Sequence, residues 1–141
     1  MSLQVIVYIL TALAVVVVVL TRLRLRQESG GAGAVHVGEG FLNLHTVAGS
    51  AAVVVWLLYL VADDETPAGS EVVGIIALAL WWITVIAGLL ILVRWLPSSG
   101  KHASAGTEDT WSEGPGLSVL AHVGMLVGVC VFTYAYLTAK V

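Results

Sequence analysis

The chain has 141 residues, 59% of them hydrophobic and 11% charged, a formal net charge of −3 and a mean hydropathy of +0.99. That balance excludes a water-soluble globular domain, and six Lys and Arg against nine Asp and Glu leave no basic footprint for nucleic acid. A single cysteine, Cys130, lies inside an apolar run, which excludes an intrachain disulfide and makes it a small hydrophobe.

Four apolar stretches, near 3–20, 41–62, 72–95 and 117–139, are long enough for a helix to cross the hydrocarbon core of a bilayer. Runs such as VVVVVL are apolar on every face, without the period-two alternation of a transmembrane barrel strand. The expectation is an all-α integral membrane protein, one up-down four-helix bundle over residues 1–141 with four transmembrane helices.

The first stretch has no positive residues before it and no small-residue cleavage site after it, so it is expected to remain as the first span. Arg22, Arg24 and Arg26 follow it directly. The positive-inside rule puts them in the cytoplasm, giving an N-out, C-out topology in a prokaryotic inner or plasma membrane. The glycine-rich segment ESGGAGAVHVGEG then reads as a flexible connection. The second helix runs outward to the acidic loop DDETPAGSE, and the third returns to Arg94 and Trp95, with Pro97 marking its stop. A polar loop leads to the fourth helix, which ends with Tyr134, Tyr136 and Lys140 at interfacial depth. Packing is expected along small-residue stripes: Ala48 to Ala52, Gly74 and Gly88, and the Gly124–Gly128 pair.

Two residues do not belong in this apolar background. His45 and His122 each sit four or five residues into their helices, at equal depth on the two helices that a square bundle places on a diagonal. Imidazoles so placed can ligate both axial positions of one iron porphyrin. Gly49, one turn beyond His45, would let a macrocycle approach the backbone, and Met125, Leu126 and Val129 share the His122 face. Arg94, with Arg22 or Arg24, would pair with the haem propionates.

The H-x-x-x-G pattern at 45–49, together with His122 on a second helix, resembles the transmembrane b-type cytochromes, among them the membrane anchors of succinate dehydrogenases and respiratory cytochrome b subunits. The resemblance implies one haem b held by His45 and His122. It further implies an electron-transfer subunit without catalysis of its own, passing electrons to or from a quinone or a partner subunit of a membrane redox complex. The same residues would serve chlorophyll-type ligation. Two readings stand beside it: a non-redox accessory subunit with structural histidines, and a small carrier using both histidines as proton-titrating groups. His36 and His102, with Glu39, Glu108, Asp109 and Glu113, lack compact metal-ligand spacing and read as solvated loop residues. Trp81 and Trp82 lie deep in the third helix, where packing or lipid contact accounts for them; a haem or quinone edge is the alternative.

Overall fold

A computed structural model of the chain describes residues 1–27, 39–99 and 115–141. The described residues are all-helical: α1 (Leu3–Gln27), α2 (Glu39–Val61), α3 (Glu71–Ser99) and α4 (Pro115–Leu137), with a short 3-10 turn at Pro67–Gly69. Each boundary has a local cause. The Ser2 hydroxyl accepts from Val5 N at 3.3 Å and caps α1. Pro115 opens α4, where its missing N–H would have had no helical partner anyway. Between α2 and α3, the Thr66 hydroxyl accepts from Gly69 N and donates to Asp63 O. Beyond α4, Ala139 adopts φ 49° and turns the chain, so that Lys140 N reaches back to Ala135 O at 2.9 Å.

The expected stop at Pro97 is not where α3 ends, since the helix continues to Ser99. Proline fixes φ near the helical value, and so close to the end it forgoes little of the hydrogen-bond ladder.

Adjacent helices pack in the order α1–α2–α3–α4–α1, while α2 and α4 share no close backbone approach among the described residues and so lie on a diagonal. Side chains set the directions. His45 meets His122 at one end and Tyr59 meets Tyr136 at the other, so α2 and α4 are parallel. Gly88 faces the histidine end and Gly74 the tyrosine end, so α3 is antiparallel to both. The Tyr8 hydroxyl donates to Leu60 O near the tyrosine end, which makes α1 antiparallel to α2.

The core between these ends is aromatic. Trp56 stacks on Phe132 at 5.0 Å between ring centres, and Trp81 approaches Phe132 at 5.8 Å; all three are essentially without exposure. Threonines take up indole donors: Trp56 Nε1 donates to Thr11 Oγ1 at 3.0 Å, and Trp82 Nε1 to Thr133 Oγ1 at 3.2 Å. Around this core the outer faces carry Val47, Val54, Leu58, Ile75, Ile83, Ile86, Val123 and Val127, all exposed. So continuous an apolar surface is suited to lipid.

Three helices are long and apolar enough to cross a membrane, over Asn43–Val61, Glu71–Val93 and Val119–Leu137. In α1 the apolar stretch found among the described residues is the shorter Leu3–Val19, and the helix itself continues to Gln27. Four spans are therefore an expectation that three helices meet by length and composition.

The small-residue stripes divide. Ala48, Gly49 and Ala52 are buried on α2, and a Cβ on Gly49 would lie 3.2 Å from Thr84 Cγ2 of α3. Gly124 and Gly128 do not behave as expected: a Cβ at either would meet nothing within 4 Å, so neither is pressed against a neighbouring helix. Their GxxxG spacing is present, with Gly124 exposed and Gly128 buried, but no neighbouring side chain or backbone fills the space a Cβ would take at either. Cys130, on the same helix, is exposed.

Candidate functional site

The histidines that sequence places at equal depth are brought together. The rings of His45 and His122 lie 6.0 Å apart between centres, with an interplanar angle of 24°. Both are partly buried, and they come from helices whose backbones do not approach each other closely among the described residues.

Gly88 of α3 makes the meeting possible. A Cβ built there would stand 2.8 Å from His122 Cδ2, 3.0 Å from His122 Nε2 and 2.9 Å from His45 Cε1. Any side chain at this position would strike both imidazoles, so the ring edges rest on bare backbone. Thr84, one turn earlier on α3, orients one of them: His45 Nδ1 lies 2.9 Å from Thr84 O. A carbonyl can only accept, so Nδ1 carries the proton and the Nε2 lone pair of the neutral ring is left for another partner. This is the arrangement in which histidines ligate metals, the second nitrogen being held by a backbone carbonyl. Gly49 supports it from α2 by leaving room for the Thr84 side chain, which draws α2 and α3 together one turn from the histidine.

Beneath the pair is a cavity of about 110 Å³, to which all four helices contribute. Val17 and Val18 come from α1, Thr46, Gly49 and Ser50 from α2, Trp81, Thr84 and Val85 from α3, and Ala121 and Met125 from α4. Met125 thus borders the site as sequence suggested, whereas Val129 is fully buried in the aromatic core. Arg94 belongs to α3, but its side chain, like those of Arg22 and Arg24, lies outside the described residues. His36 and His102 lie outside them too. Among the described residues no three His, Cys, Asp or Glu side chains cluster as a metal site.

What sequence reading missed is the contribution of α3. Gly88 stands out only when three spacings are compared: His45 and Tyr59 on α2, Gly88 and Gly74 on α3, and His122 and Tyr136 on α4 are each fourteen residues apart. Four helical turns take about 14.4 residues, so each pair shares a face. At the far end Tyr59 and Tyr136 meet at 5.9 Å over Gly74, whose Cβ would lie 3.0 Å from Tyr59 Cε2. Tyrosine closes the bundle there, with its hydroxyls on backbone: Tyr59 donates to Val141 O and Tyr136 to Glu71 O.

Fold and site together define an all-helical protein with membrane-length apolar helices and one histidine pair bridging a diagonal. No protein family, curated protein or solved structure matches the chain.

Proposed function

We propose that this protein is a four-helix membrane electron-transfer subunit that holds one b-type haem between His45 and His122. The observation that carries the reading is the 6.0 Å separation of the two imidazoles. Two rings on opposite sides of one metal ion, each nitrogen about 2.0–2.1 Å from it, have centres about 6 Å apart. The proton held on His45 Nδ1 by Thr84 O adds to this, because it presents Nε2 as the ligand.

When bound, the haem supplies the one-electron redox couple; the chain supplies its ligands and surroundings. His45 and His122 fix the iron, Gly88 keeps side chains off the ligand nitrogens, and the Trp56, Trp81 and Phe132 core bars the far end of the bundle to water. The cavity of about 110 Å³ is smaller than the roughly 300 Å³ and upward usual for a drug-sized ligand, so seating a macrocycle requires the helices to part further at this end. In this reading α1 is the fourth span, Arg94 is the propionate partner, and the arginine segment after α1 sets the histidine end on the cytoplasmic side. Electrons would pass to or from a quinone or a partner subunit of a membrane redox complex.

A second reading is favoured by the size of the cavity and by Met125. Two imidazoles and a thioether are a soft donor set suited to Cu(I), and a bare ion needs no parting of helices. Metal and pyridine-haemochrome analysis of protein purified from haem- and copper-replete cells separates the two. One haem per chain is the expected result; copper at one per chain without haem establishes the second reading, and neither metal defeats both.

A further inference from the structure

Trp81 is fully buried, and its indole Nε1 is the one buried side-chain nitrogen or oxygen among the described residues with no hydrogen-bond partner. The contrast with its neighbours is informative. Trp56 and Trp82 give their N–H groups to Thr11 and Thr133, so this bundle satisfies indoles where it can. An orphaned buried donor is costly, and native structures resolve most such groups with water or a ligand. Trp81 is one of the residues that line the cavity under the histidine pair, so an acceptor held there is next to it and needs only a shift of the lining to open the closed Nε1.

The rest of the lining says which acceptor. Ser50 Oγ donates to Thr46 O at 2.8 Å, and Thr84 Oγ1 donates to Leu80 O at 2.8 Å. Each hydroxyl has thereby spent its only proton and presents lone pairs alone. His45 has spent its Nδ1 proton on Thr84 O, so Nε2 also accepts. Among Trp81, Ser50, Thr84 and His45 the wall therefore offers one unspent donor and three acceptors. A carbonyl-bearing ligand would answer Trp81 and leave the acceptors unmatched. Water accepts from the indole and donates to Ser50, Thr84 and His45.

We propose that the cavity holds an internal water cluster anchored by Trp81 Nε1–H and reaching His45, which makes the histidine pair hydrated and proton-accessible from inside the bundle. A volume of about 110 Å³ has room for about three to four waters at roughly 30 Å³ each, and the site supplies the two to four polar partners that an ordered water needs.

The indole protons test this directly in the full chain, ¹⁵N-labelled on tryptophan and held in nanodiscs without added metal. The five indole signals are assigned by Trp→Phe substitution at each position in turn; if Trp81→Phe does not fold, the remaining four assign Trp81 by elimination. The expected result is a water cross-peak at Trp81 Hε1 and hydrogen–deuterium exchange at least about tenfold faster than at Trp56, whose donor is bonded inside the protein. Protection equal to that of Trp56 without a water cross-peak overturns the proposal, as do cross-peaks to lipid or ligand protons in place of water. The sample is freed of haem and metal before measurement, so the outcome is independent of whether haem binds.

Discussion

His45 and His122 reach across a diagonal that their helices do not close, and the point at which the rings meet is the bare backbone of Gly88. The contact depends on a glycine of a third helix as much as on the histidines. Several consequences can be measured.

Gly88→Ala should disable the site. The new methyl would stand 2.8–3.0 Å from atoms of both rings, closer than real Cβ contacts tolerate, so the imidazoles must separate. We predict loss of at least about tenfold in cofactor affinity, comparable to removing a group that orients metal ligands, read by haem or metal titration. Gly124→Ala and Gly128→Ala, with nothing within 4 Å, should leave binding unchanged and raise thermal stability by about 0.5–1 kcal/mol each through helix propensity. Equal binding by Gly88→Ala and the unmodified protein would refute the role given to Gly88.

The buried bond between Trp56 and Thr11 fastens α1 to α2. Thr11→Val removes the acceptor and leaves a second indole donor orphaned in the core. Thermal unfolding in detergent should show a loss of about 1–3 kcal/mol, whereas Trp56→Phe together with Thr11→Val should cost less than the sum of the two single changes. Strict additivity would mean that the bond contributes nothing to holding α1.

At the end of α4, Ala139 sits at φ 49° with a Cβ that this conformation disfavours. Ala139→Gly should stabilise the tyrosine end by roughly 0.5–1 kcal/mol, and it should also preserve the turn that presents Val141 O to Tyr59. Destabilisation on this change would show that the turn has no strain to relieve.

How much of this could be read from the sequence follows from what each inference needed. Helical rise alone equates the depths of His45 and His122, and a simple up-down order makes α2 and α4 the diagonal, so the pair was legible. The face that α3 turns toward that diagonal was not, because α3 is apolar all round and its periodicity favours no side. Gly88 therefore looked like one more packing glycine. Gly49 was legible as a gap one turn from His45, but the group beside it is Thr84. The Gly124–Gly128 spacing misled because GxxxG marks a surface on which a helix can pack and does not say that one does. Trp81 could be placed deep in α3, yet its lack of a partner emerges only when the positions of Thr11 and Thr133 show which indoles are satisfied.

The proposed haem between His45 and His122 is tested most directly by the reduced-minus-oxidised visible spectrum of the protein purified after haem-replete expression. The unmodified chain should show the Soret and α bands of a low-spin b-type centre. Those bands should be lost in His45→Ala and in His122→Ala and retained in His36→Ala and His102→Ala. A chain that shows no such bands, or that keeps them without either His45 or His122, would contradict it.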